Sequence, residues 1–168
     1  MNQFIFMKKA VILLSVLLFI GIIGFFGCQR MTQIPDIKPA ELQLENLSGI
    51  PVDLSFRGNR PVVIYFWSTT SGKFQKTLPD LKKVYAKYGN LVNFILVSDE
   101  NSTDITTFKS LQMLPFLMFR STKSLSDYGI DTIPAVYFFD IKGNLISKKT
   151  GVLNESELET EIIPILAH

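Results

Sequence analysis

The run Val62–Trp67, VVIYFW, consists of six consecutive β-branched or aromatic residues. Alternate side chains of a strand point to opposite faces, so a strand with no polar side must be covered on both. That demand places it at the centre of a sheet with layers above and below. Beyond it the period changes: Phe74, Leu78, Leu81, Tyr85 and Tyr88 follow at spacings of four, three, four and three. They form one apolar helical stripe, with Lys76, Lys83 and Lys87 largely outside it, and Gly89-Asn90 ends the helix.

The rest of the chain repeats this alternation. Residues 42–56, LQLENLSGIPVDLSF, alternate apolar and polar around Ser48-Gly49 and predict a β-hairpin. LVNFILVS, 91–98, is a second buried strand, and a short helix follows around Asp104 to Ser110. LPFLMFRS, around Pro115, reads as irregular or briefly extended. A short helix through Ser124–Tyr128 leads to two strands joined by a turn at Lys142-Gly143-Asn144, and Asn154 with Glu157 opens the last helix as a capping box. Strand, helix, strand, helix, hairpin and helix make an α/β sandwich with a central mixed sheet flanked by helices.

Ahead of this domain, Lys8-Lys9 precede Ala10–Phe26, 17 residues without a charge, and Gly27-Cys28 follows. This is the layout of an export signal or an uncleaved membrane anchor. Phe25-Phe26-Gly27-Cys28 resembles a bacterial lipobox, which would make Cys28 a lipidation site; Phe26 departs from the usual small residue. The expected division is a signal peptide or anchor over 1–27, a tether over 28–40 with two prolines, and a domain over 41–168. The domain is expected on the extracytoplasmic side of a bacterial cell envelope, held to the membrane by lipid or helix.

Composition limits the chemistry. Cys28 is the only cysteine, so the domain has neither a disulfide nor a cysteine-based metal site. The only histidine, His168, cannot build a zinc or copper site alone. Removing Lys8 and Lys9 from the 17 Lys and Arg leaves 15, against 15 Asp and Glu. With no basic stripe, nucleic-acid binding is not expected, and Lys82-Lys83 and Lys148-Lys149 read as solvated faces. No cofactor or metal is expected.

The order of elements resembles the thioredoxin-like superfamily, and more narrowly the membrane-tethered TlpA/ResA-like thiol–disulfide oxidoreductases, over roughly 40–166. The hairpin and strand LENLSGIPVDLSFRGNRPVVIYFW, the pair Phe66-Trp67, the helix-kinking Leu78-Pro79, the loop Thr132-Ile133-Pro134 and the hairpin FFDIKGNLI carry the likeness. The resemblance implies a thioredoxin-like sandwich with an N-terminal β-hairpin and a cis bond at Ile133-Pro134. It also implies a Cys-x-x-Cys pair at the start of the first long helix, where amides and macrodipole stabilise a thiolate. Those places hold Ser71-Gly72-Lys73-Phe74, so both active-site cysteines are lacking and no catalytic residue is assigned. Ser71 reads as a helix N-cap. Tyr65 stands where some relatives carry a buried acid, and reads as a core aromatic with a satisfied hydroxyl.

What remains of the implied site is a peptide groove of Trp67, Phe74, Ile133 and Pro134, either open or plugged by Phe74. The expected function is a membrane-anchored envelope module that binds or assembles an exported protein or peptide. The alternatives are an oxidoreductase acting with a partner's thiols and a purely structural lipoprotein.

Overall fold

A computed structural model describes residues 34–54 and 60–167. Cys28, the apolar run 10–26, the turn at 57–59 and His168 lie outside the described residues.

Seven strands form one mixed sheet in the order β2-β1-β5-β4-β3-β6-β7. They are β1 (Leu44–Glu45), β2 (Pro51–Val52), β3 (Val62–Phe66), β4 (Asn93–Ser98), β5 (Leu117–Ser121), β6 (Ala135–Phe139) and β7 (Leu145–Thr150). β3, β4 and β5 run parallel, and β6, β7 and the β1–β2 hairpin add antiparallel pairs at either side. Three helices flank the sheet: α1 (Gly72–Tyr88), α2 (Ser102–Leu111) and α3 (Glu155–Leu166). This is the sandwich with an N-terminal hairpin that the sequence predicts.

All five residues of β3 are buried, and their alternation divides the core in two. Val63, Tyr65 and Trp67 pack with Phe74, Leu78 and Leu81 of α1, Ile105 of α2, and Leu158 and Ile162 of α3. Val62, Ile64 and Phe66 face the other way, among Val97, Tyr137 and Phe139, under Ile37, Leu42, Leu125 and Ile130. Pro79 lies inside α1, and α3 opens with the expected reciprocal capping box of Asn154 and Glu157.

Among the described residues no long helix covers the second face. Its cover includes the chain from Ile34 to Leu42, where Ile34 and Ile37 pack on the core. The Tyr137 hydroxyl donates to the Pro35 carbonyl at 3.0 Å, and Lys148 pairs with Asp36 at 2.6 Å. The compact unit accordingly begins at Ile34, so residues 34–40 of the expected tether are a strap laid across the sheet. Two isoleucines three apart were the signal in a stretch whose prolines argue for a linker.

Two further readings gain detail. Residues 117–121 are a regular strand between β4 and β1, because pairing on both flanks overrides the weak local pattern after Pro115. The lysine pairs are engaged at the surface: Lys82 donates to the Gln112 carbonyl at 2.6 Å, Lys83 pairs with Asp80 at 2.8 Å, and Lys149 pairs with Glu161 at 3.0 Å. Exposed pairs of this kind add little to stability.

Asp140 closes the β6–β7 turn, its carboxylate accepting from the Lys142 and Asn144 amides at 2.9 and 2.8 Å and from Asn144 Nδ2 at 2.8 Å. Burial works against its charge, but these donors outweigh it and hold the carboxyl below the usual range. A depressed folded pKa adds stability above the unfolded value, about 3.9 for Asp, and that stability is lost as pH falls through the lower folded value. Two outcomes follow for urea denaturation. Ile37→Ala is expected to lose about 2–5 kcal/mol, as for a buried isoleucine. Asp140→Asn is expected to be less stable than the parent at neutral pH, with a gap that narrows in acid.

Candidate functional site

The site implied by the sequence lies at the C-terminal end of β3. Trp67 leaves the strand with its N–H on the Val97 carbonyl at 3.1 Å, and Ser68-Thr69-Thr70 turn the chain into α1. Ser71 is the N-cap: its hydroxyl accepts from the Phe74 amide at 3.2 Å. That cap satisfies one of the orphan first-turn donors. Where a thiolate would receive helix amides, Ser71 receives one as a structural bond.

Phe74 is completely buried. Its ring centroid lies 4.6 Å from that of Trp67, 5.7 Å from Tyr65 and 6.3 Å from Phe108. The ring therefore belongs to the helix-side core, the packed alternative of the two left open for it. Trp67, also fully buried, packs on Phe108 at 5.1 Å. Ile133 packs against the core on the other side of the sheet, so Trp67, Phe74 and Ile133 do not share one exposed patch. Strand parity explains this: Tyr65 and Trp67 point to the helices, and an aromatic residue one turn into α1 completes their cluster.

That cluster holds two polar groups without hydrogen-bond partners, Tyr65 OH and Trp67 Nε1. Thr77 reaches the Tyr65 hydroxyl, but outside strict hydrogen-bond geometry. Burial drives its phenol far above the ordinary value, with a small opposing effect from Thr77, whose own hydroxyl donates to the Lys73 carbonyl at 3.2 Å. Tyr65 stays protonated and supplies no base.

Sequence reasoning missed Glu100. Its carboxylate accepts from Ser68 Oγ at 2.8 Å, the Thr69 amide at 2.8 Å, Thr69 Oγ1 at 3.0 Å and Ser98 Oγ at 3.1 Å. One acid thus clamps the turn that precedes α1. The parallel register Phe66↔Val97, carried three residues on, sets Thr69 beside Glu100, which is the signal that could have found it.

The Ile133-Pro134 peptide is cis. The β3–β6 register ends at Phe66↔Ala135, and its continuation brings Trp67 beside Pro134 and Ser68 beside Ile133. Pro134 is buried and accepts from the Gly151 amide at 2.8 Å, while Asp131 and Thr132 are exposed. Neither the N–H nor the carbonyl of Ile133 enters a backbone hydrogen bond among the described residues. Among those residues there is no group of three His, Cys, Asp or Glu able to hold a metal, and no helix long and apolar enough to cross a membrane.

Comparison with known proteins agrees with this geometry. The pattern of the AhpC/TSA family matches residues 33–148. The thiol-disulfide oxidoreductase ResA of a Bacillus cereus strain is 24% identical over 140 residues, covering 81% of this chain and 80% of that protein. A thioredoxin-like protein from Porphyromonas gingivalis aligns with a TM-score of 0.65 at 21% identity, over 77% of this chain and 91% of its own. A secreted Mycobacterium tuberculosis disulfide oxidoreductase homologous to E. coli DsbE aligns with a TM-score of 0.62 at 20% identity, over 77% and 99% of the two chains. The fold is the thioredoxin-like sandwich.

Phe74→Ala is expected to cost about 3–5 kcal/mol, as for a deleted core aromatic. Ser71→Ala is expected to cost about 0.5–2 kcal/mol through the lost cap. Trp67, the single tryptophan, reports the difference. Its emission is expected to shift to longer wavelength in Phe74→Ala and to stay unchanged in Ser71→Ala.

Proposed function

Because the chain belongs to the AhpC/TSA family and has a thioredoxin-like fold, we propose that it is a cell-envelope member without thiol chemistry of its own, serving as a protein-binding or assembly module. One observation carries this reading: the two positions where the fold's redox chemistry needs sulfur hold an N-cap hydroxyl and a core ring, each with a structural task. A serine hydroxyl does not exchange with a disulfide, and a phenyl ring has no nucleophile. Cys28, 43 positions before Ser71 in the numbering, is the sole thiol of the chain.

The binding surface in this reading is the backbone of Ile133. Its free N–H and carbonyl, beside the exposed Asp131 and Thr132 and the clamped Ser68 turn, offer main-chain pairing to an extended polypeptide. The ligand is an exported protein or peptide. Lys8-Lys9, the apolar run and Cys28 support export and attachment to the membrane, with Cys28 as the lipidated residue. The secreted relative is in keeping with that placement.

The relatives favour a second reading. ResA is a thiol-disulfide oxidoreductase by name, and this chain would take part in such exchange only through a partner's thiols. Two measurements on the full chain separate the readings. In the proposed one, insulin reduction stays at background with or without envelope extract, while a photo-crosslinking residue at Thr132 captures an envelope polypeptide. An extract-dependent rate that requires this chain would establish the second. Background turnover together with no adduct from Thr132 would reject both and leave a scaffold.

A further inference from the structure

The large apolar side chains that stay exposed are not spread evenly over the domain. Six of the nine among the described residues gather at one end of the sheet, where the parallel strands begin. Leu91 precedes β4, Leu117 opens β5, and Leu111 and Met113 lie at the close of α2, just ahead of β5. β1 runs antiparallel to β5 with Glu45 opposite Arg120, which carries the hairpin turn alongside Phe119 to Leu117 and brings Ile50 to the same end. β6 runs antiparallel to β3 with Phe139 opposite Val62, so Ile141, just beyond it, arrives there too. Leu111 is 74% exposed and Met113 83%.

The same end is basic. Arg60 stands ahead of β3, Lys109 is in the last turn of α2, and Lys142 follows Ile141 in the β6–β7 turn. Lys82 reaches the Gln112 carbonyl at 2.6 Å, next to Met113. None of these four cations enters a salt bridge among the described residues. The acids nearby are engaged: Asp140 with the donors of its own turn, Glu45 with Arg120, and Glu155 with Lys83 and Lys87. This end therefore presents apolar side chains set among unpaired positive charge.

We infer that this end of the domain docks on a lipid bilayer that carries anionic headgroups. Exposed apolar side chains enter the boundary between headgroups and acyl chains, while Lys and Arg lay their apolar stems along it and keep their charges at the headgroups. The negative potential of such a surface attracts basic residues held close to it. A second copy of the chain fits poorly, because a twofold contact would set the four cations against their own images.

The inference rests on the membrane attachment proposed for residues 1–28. Cys28 and Ile34 are six positions apart (34 − 28), a span of at most about 20 Å, so the domain stays within reach of the bilayer that holds it. With the apolar end on lipid, Ser71 and Ile133, at the opposite ends of the strands, face away from the membrane. The docking thus orients the Ile133 backbone toward exported polypeptides.

The test uses the full chain reconstituted in vesicles of phosphatidylethanolamine and phosphatidylglycerol, carrying Leu111→p-benzoylphenylalanine or, for reference, Thr132→p-benzoylphenylalanine. Illumination is expected to add the mass of a phospholipid at position 111 and not at 132. Lys109→Gln combined with Lys142→Gln is expected to lower that adduct several-fold, as is exchanging phosphatidylglycerol for phosphatidylcholine. Unchanged Trp67 emission shows that the variant is folded. A chain that floats with the vesicles overturns the docking, and leaves the attachment standing, if it gives no lipid adduct at 111, equal lipid adducts at both positions, adducts only to a second copy or another polypeptide, or a yield indifferent to both charge changes. A chain that does not float with the vesicles overturns both.

Discussion

The burial of β3 on both faces is the constraint from which the rest follows. Val63, Tyr65 and Trp67 need one cover and Val62, Ile64 and Phe66 another, and the chain solves the two sides differently. Right-handed crossovers between the parallel strands β3, β4 and β5 bring α1 and α2 to the same face, where α3 joins them. The opposite face receives the strap from Ile34, a short 3₁₀ turn at Leu125–Tyr128 and Ile130. Irregular cover of this kind must tie up its own polar backbone, as the Tyr137–Pro35 and Gln43–Tyr128 hydrogen bonds do.

At the end of β3 the helix N-terminus receives a serine hydroxyl as its cap. Helix amides favour a nearby anion or acceptor whatever its chemistry. Ser71 takes the acceptor role without nucleophilic power, and Phe74 fills the next inward-facing place with a ring against Trp67. Tyr65 OH and Trp67 Nε1 sit among these rings with no hydrogen-bond partner of good geometry among the described residues. Glu100 then holds the entering turn with three hydrogen bonds and takes a fourth from Ser98 of β4, so the loop keeps its form without a disulfide beside it.

What could be read from the sequence was what local pattern controls. The strand VVIYFW, the stripe from Phe74 to Tyr88, the Ser71 cap and the Asn154–Glu157 box depend on residues close together in the chain, and each is found in place. What could not be read depends on partners far apart. β5 is a strand because of β4 and β1, the strap is folded because of Tyr137 and Lys148, and Glu100 matters because the β3–β4 register sets it beside Thr69. The groove was the hardest case, since Trp67 and Ile133 are one residue apart in register and so lie on opposite sides of the sheet. Only the parity of the strand separates them.

The strap also decides where this protein can be cut. Cleavage before Ile34 leaves the compact unit whole, so a protease acting there releases an intact folded domain. A cut a few residues later, past Ile37, removes the lid of one hydrophobic layer and exposes Ile64 and Tyr137 to water. The difference between release and destruction is a matter of a few peptide bonds. A pulling force applied at Ile34 acts on the Lys148–Asp36 and Tyr137–Pro35 attachments before it reaches the sheet.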